Sequence, residues 1–260
     1  MPYRRSGPGR SPSTSATRRG GTGCRRATGH RWSASTARPV LHAAGIAVGG
    51  GSRAHFAELN RAEDLPTDLL DVLAFPVAAE VHDRDRDTVR ETLDTYPALV
   101  RQARATGIGR LLVGPVSFPP SYPDADPDSG STMPLWPRPG SRFGAARAVG
   151  AVAALGYAGA DAVAFHRSWY ADVDYPVREV LDWLGTGGGL CALRLPAGLT
   201  GLAVRSGGEL SVVVANLGDQ PRRLRVRTLA GWRLLGDGTE TGGELTLPAP
   251  SVAMWRGAHE

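Results

Sequence analysis

Hydrophobic positions fall into two textures along the chain, with a third stretch that has almost none. From residue 45 to 185, apolar runs of strand length alternate with segments of helical period. The strand-like runs are GIAVGG at 45–50, VLAFPVAAEVH at 72–82, RLLVGPVSF at 110–118 and DAVAFHRSW at 161–169. Between them the spacing predicts a helix within 61–72, one over 85–107 and one over 141–159, and a last helix over 176–185. In the 85–107 segment Val89, Leu93, Leu99, Val100 and Ala103 can share one side. Asp85 suits the N-cap and Gly107 the stop, and Pro97 is expected to kink or split the helix. From residue 190 the pattern shortens. Runs such as LSVVVAN and LRVRTL alternate with period two, with turn residues every 8–12 positions and a hairpin-like NLGDQPRR connection.

Four strand–helix units in succession imply a parallel sheet with right-handed crossovers. Strands apolar on both faces imply that both faces are covered. Four units are half of a (β/α)8 barrel. The alternative, an open doubly wound sheet, lacks GxGxxG spacing after its first strand. The expected fold is therefore α/β: a partial (β/α)8 (TIM) barrel of about four βα units, then a small antiparallel β-sandwich. The expected divisions are 1–40, 41–188 and 189–260. The first is rich in Arg, Ser and Gly and too poor in aliphatic residues to offset its ordering entropy, so disorder is expected there.

Composition changes one part of this picture. All 30 basic residues are arginine, and the formal net charge is +5. Ten of those arginines precede Glu58, the first acidic residue, so the remaining 20 are outnumbered by 25 acids. The folded body is mildly acidic, which argues against a phosphate-backbone binder. The two cysteines, Cys24 and Cys191, are far apart and form neither a disulfide framework nor a metal spacing. No run reaches the about 20 apolar residues of a membrane span, and no signal-peptide core opens the chain, so a cytoplasmic protein is expected.

In a (β/α)8 barrel the side chains after each strand converge on one rim. After the first strand stand His55, Glu58, Asn60 and Arg61. The second is followed by Glu80, His82 and Asp83, the third by Ser117, and the fourth by His166, Arg167 and Tyr170. If the first strand continues through HFAELNR, alternation puts Glu58 and Asn60 on one face, a carboxylate beside an amide as sugar chemistry uses them. If that segment is helical, Glu58 is equally a surface acid. His55 also fits a packing role, and VHDRDRD also fits a polar loop ending in an N-cap. The acids of DADPD lack calcium-loop spacing, GGG at 49–51 suits a bend or a close backbone approach, and no Gly-x-Ser-x-Gly elbow is present. No metal or other cofactor is expected.

GGGSRAHFAELNR, then EVHDRDRDTVRETLDTYPALVRQAR, then LLVGPVSF, resemble the bacterial D-apionate lactonase family, and the resemblance extends over about 45–255. It implies a glycosidase-like (β/α)8 barrel flanked by β-domains, acting on the lactone of a branched sugar acid. Family members are longer. By this resemblance the chain would hold the second half of the barrel and the terminal β-domain, with the Arg-rich segment where earlier strands would stand. Two positions depart from the family pattern: Glu80, and the FHRSW stretch, which carries no carboxylate. The implied chemistry is lactone hydrolysis on a small-molecule sugar lactone, with no nucleic-acid or membrane partner. Glu58 would be the base or water-orienting carboxylate, and His82 and His166 the proton-transfer or oxyanion partners. Asn60 would hold a substrate hydroxyl, and Arg167 would bind the product carboxylate. His55, Glu80 and Tyr170 would complete the substrate contacts. The second reading is a glycoside hydrolase using Glu58 with Glu80. The third is a non-catalytic remnant.

Overall fold

The computed structural model describes residues 38–258 except 54, 64, 80–84, 118–140, 166–175, 186, 226–230, 236–239 and 242–243. Helix α1 (38–43) opens this portion. The first three of its residues lie inside the segment expected to be disordered. The first of them, Arg38, donates to the Asp71 carboxylate at 3.3 Å.

Four parallel strands follow: β1 (Gly49–Gly51), β2 (Val72–Ala78), β3 (Arg110–Ser117) and β4 (Ala162–Phe165), hydrogen-bonded in the order β1-β2-β3-β4. Every neighbouring pair is parallel, as the four-unit barrel reading requires. The helices are α2 (Phe56–Asn60), α3 (Arg86–Arg104), α4 (Arg142–Tyr157) and α5 (Pro176–Leu184).

Three local expectations change. The first strand is confined to the glycines, and the described helical residues of the 61–72 segment form a 3-10 turn at Thr67–Leu69. The helix comes earlier instead, because burying Phe56 and Leu59 turns HFAELN into α2, with Phe56 packed on Phe75 at 4.9 Å between ring centroids. Third, α3 runs unbroken through Pro97 for 19 residues. Its N-terminus is capped as expected. The Asp85 carboxylate accepts from the backbone N–H groups of Asp87 and Thr88 and from the Thr88 hydroxyl. Those donors hold the Asp85 carboxyl below its ordinary value, the Thr88 hydroxyl first.

After α5 the chain builds a six-stranded sheet and a two-stranded sheet. The strands are β5 (Gly189–Cys191), β6 (Leu199–Ser206), β7 (Glu209–Asn216), β8 (Arg222–Arg225), β9 (Trp232–Leu234), β10 (Glu240–Thr241), β11 (Glu244–Leu247) and β12 (Ser251–Ala258). The larger sheet has the order β10-β9-β12-β7-β6-β5, and β11 pairs with β8. Between the two sheets lie Ala203, Val212, Val214, Trp232, Leu245, Leu247 and Ala253. The opposite face of the larger sheet, through Leu202, Val213, Ala215, Val252 and Met254, joins the core of the barrel portion. This explains the uninterrupted VVVA run of β7: the strand is apolar on both faces because both are covered.

Helix α4 sits where the layers meet. It touches α3, α5, β4 and the strands β6, β7 and β12. Surrounded in this way, it is buried nearly all round, and its sequence is small rather than amphipathic: Gly144, Ala145, Ala146, Ala148, Gly150, Ala151 and Ala153 are all buried. A Cβ on Gly150 would lie 2.6 Å from Leu93 of α3 and 3.3 Å from Leu217 beyond β7. Arg147, in the middle of this helix, is also buried and donates to the Tyr96 hydroxyl at 2.6 Å. Burial pushes that hydroxyl's pKa up, opposed by the Arg147 charge.

Candidate functional site at the end of strand β1

The sequence of β1 is three glycines, and the backbone uses the last of them. Gly51 has φ +152°, and a Cβ there would stand 1.9 Å from the Ala74 carbonyl oxygen. Only glycine lets β1 lie this close to β2 at the rim. The next residue, Ser52, donates its N–H to the same carbonyl at 3.1 Å. The chain then turns into α2. His55 is extended (φ −137°, ψ 164°) and occupies the N-cap position without a side-chain cap bond. Its carbonyl accepts from the Glu58 N–H at 3.1 Å.

Helix geometry settles the alternation question. Phe56 and Leu59 face inward, while Glu58 and Asn60 are exposed. They are two residues apart on a helix, so they do not share a face as they would on a strand. The strand-based reason for joining Glu58 to Asn60 is therefore corrected. The residue brought to Glu58 is Arg61, whose Nη1 donates to Glu58 Oε1 at 3.3 Å. The sequence placed Arg61 on the rim without a role; the i,i+3 spacing of E-x-x-R on a helix is the signal that finds this pair.

Ala79, just past β2, and Ser117, the last residue of β3, stand on the same rim, and the Ala79 N–H donates to the Ser117 carbonyl at 3.3 Å. Of the other candidates, Glu80, His82, His166, Arg167 and Tyr170 lie outside the described residues. Of the proposed catalytic and substrate-binding residues, His55, Glu58 and Asn60 are thus the described ones, all contributed by the ten residues that follow β1. Among the described residues no group of three His, Cys, Asp or Glu side chains could hold a metal ion. No described helix is long and apolar enough to cross a membrane.

A family model for the TIM barrel domain of D-apionate lactonase matches residues 30–169, a span that holds all four parallel strands and β1's rim. The chain belongs to the D-apionate lactonase family. None of the curated protein sequences compared with this family member matches it. Among solved structures it is similar to Xyn30A, a glycoside hydrolase family 30 subfamily 8 xylanase from Clostridium acetobutylicum. The TM-score is 0.55 at 11% identity, over 90% of this chain and 61% of that one. A GH30 endoxylanase from Clostridium papyrosolvens C71 gives a TM-score of 0.53 at 12% identity, over 87% of this chain and 60% of the other. CelM2, a bifunctional glucanase-xylanase from a metagenome library, gives 0.50 at 14% identity, over 88% and 47%. At such identities the likeness is one of fold: a glycosidase-like barrel joined to a β-sandwich. The chain spans between 47% and 61% of the length of these structures.

Proposed function

We propose that this family member is a sugar-lactone hydrolase that opens the lactone of D-apionate or a closely related branched sugar acid. The observation that carries the reading is the family match over 30–169, which spans the ends of all four parallel strands and, in sequence, Glu58, His82, His166 and Arg167. In the proposed mechanism Glu58 orients a water and takes its proton as the oxygen attacks the lactone carbonyl. The carbonyl electrons move onto oxygen and are stabilised by donors on the rim, the role given to His82 and His166. The carbonyl then re-forms, the ring C–O bond breaks, and the alkoxide leaves as a hydroxyl after taking up a proton. The open product is a hydroxy-acid carboxylate, for which Arg167 is the proposed partner. Asn60, His55, Glu80 and Tyr170 remain the proposed substrate contacts.

The fold likeness to xylanases supports a second reading, a glycoside hydrolase with Glu58 and Glu80 as its carboxyl pair, which would have to stand about 5–9 Å apart. Incubating the protein with D-apionolactone and, separately, with aryl β-xylosides distinguishes the two. Acid release from the lactone with no aryl release supports the proposal. Aryl release without lactone opening overturns it in favour of the glycosidase.

A further inference from the structure

The floor of the four-stranded sheet holds the same arrangement twice. At the start of β2, Asp71 and Val48 form a closed two-bond ring. The Val48 N–H donates to Asp71 Oδ2 at 2.7 Å, and the Asp71 N–H donates to the Val48 carbonyl at 2.8 Å. At the start of β4, Asp161 and Leu111 do the same at 2.7 and 2.9 Å. The register beyond each ring is identical: the residue after each partner pairs across the ladder, Gly49 with Val72 and Leu112 with Ala162. Each carboxylate also takes an arginine from the helix before its partner strand. Arg38 of α1 reaches Asp71 Oδ1 at 3.3 Å and the Asp68 carbonyl. Arg104 of α3 reaches Asp161 Oδ2 at 2.5 Å and the Gly159 carbonyl. Asp71 alone adds a histidine, with His42 Nε2 at 2.6 Å from Oδ2.

The two rings differ in what else holds the strand. β3 is eight residues long and lies between β2 and β4. β1 is three residues long and, among the described residues, lies at the sheet edge with β2 as its one neighbour. Its side chains are hydrogens, so packing cannot fix it along its axis. The backbone ladder to β2, the ring to Asp71 at one end and the Ser52-to-Ala74 bond at the other do so. His55 stands four residues beyond Gly51 and Glu58 seven.

We propose that Asp71 is a positioning residue. By clamping Val48 it fixes the axial register of β1, and thereby the place at which His55 and Glu58 are presented on the opposite rim. Asp161 is its structural twin for β3. The proposal rests on reading the far end of β1 as the functional site, but its test needs no catalysis, so it can fail independently of the lactonase reading. Amide hydrogen exchange at neutral pH is compared in the wild-type protein and in D71A, D71N and D161A, together with the NMR signals of the His55 ring. Protection at 48–52 is expected to fall at least tenfold in D71A. D71N, which keeps an acceptor oxygen for Val48 but loses the negative charge facing Arg38 and His42, is expected to fall between the two. In both variants the His55 ring signals move while protection at 111–113 stays within about twofold. D161A does the reverse: it loosens 111–113 and leaves 48–52 and His55 unmoved. Should D71A fail to fold, D71N carries the same pattern alone. Unchanged protection at 48–52 in the Asp71 variants, equal loss at both rings from either substitution, or unmoved His55 signals would overturn the proposal.

Discussion

The Asn216 amide is bonded at both its nitrogen and its oxygen. It is fully buried at the end of β7. Its Nδ2 lies within bonding distance of the carbonyls of Gln220, Leu247 and Pro248, and its Oδ1 accepts from the Gly218 N–H. One amide thus closes the turn after β7 and ties it to the end of β11. Replacing it with alanine strands several buried backbone groups, each costing about 1–3 kcal/mol. Asn216→Ala is expected to lower unfolding free energy by about 2–4 kcal/mol, read from the shift in denaturant midpoint at constant slope. The sequence announced this turn through NLGDQPRR, because Asn, Gly, Asp and Pro each favour a reversal for a local reason. It could not announce that the same asparagine reaches Leu247, 31 residues away. Glu58 shows the opposite limit. Its place on the rim was legible from strand order, but its neighbour was not: alternation pointed to Asn60, whereas burial of Phe56 and Leu59 makes a helix and brings Arg61.

At the scale of elements, the acid sensitivity of the sheet is concentrated in the two floor clamps. Both carboxyls sit below the ordinary value near 3.8. For Asp71 the leading cause is the Val48 N–H, followed by the hydrogen bond with His42, with the His42 and Arg38 charges adding to them. For Asp161 burial is the largest influence and acts upward. The Leu111 N–H and the Arg104 hydrogen bond and charge, helped by Arg110, outweigh it. A folded-state pKa depressed below the unfolded one adds stability that is fully present above the unfolded value and is lost as pH falls through the folded value. Stability of the wild-type protein is therefore expected to drop as pH falls through and below about 3.8, and the D71N, D161N double variant is expected to drop less over the same range. Denaturant titrations at a series of acid pH values check this, and parallel curves for the two proteins would contradict it. Neither aspartate stood out in the sequence. Each precedes a strand, where an acidic residue also reads as loop solubility, and its partner N–H lies 23 or 50 residues away. Strands β2, β3 and β4, by contrast, were visible as apolar runs, and α3 by its period and the Asp85 cap. Helix α2 was not, because five residues are too few to establish a period.

Across the whole molecule, the proposed division between 41–188 and 189–260 is one of chain order more than of packing. Helix α4 lies against both α3 and the strands β6, β7 and β12, and one continuous core runs from Phe75 and Leu111 through Val149 and Leu155 to Val213 and Met254. Elements that share a core unfold together. Thermal unfolding followed by far-ultraviolet circular dichroism and by tryptophan fluorescence is expected to give coincident single transitions, with Asn216→Ala shifting both equally. Two separated transitions would show that the β-sandwich holds independently. Low sequence identity to the xylanases is consistent with this arrangement: the likeness lies in how barrel units and a double-faced sheet stack, which many sequences satisfy.

The proposed chemistry places lactone opening on the rim after β1, with Glu58 as its base. The most direct measurement is the rate of acid release from D-apionolactone by the wild-type protein and by Glu58→Gln, a substitution at an exposed position that leaves the buried Phe56 and Leu59 in place. The wild-type rate is expected to exceed the buffer rate, and the variant to lose about 10²–10⁴-fold of that catalysed rate, with unfolding midpoints unchanged. A Glu58→Gln protein as active as the wild type, or a wild-type protein no faster than buffer, would contradict it.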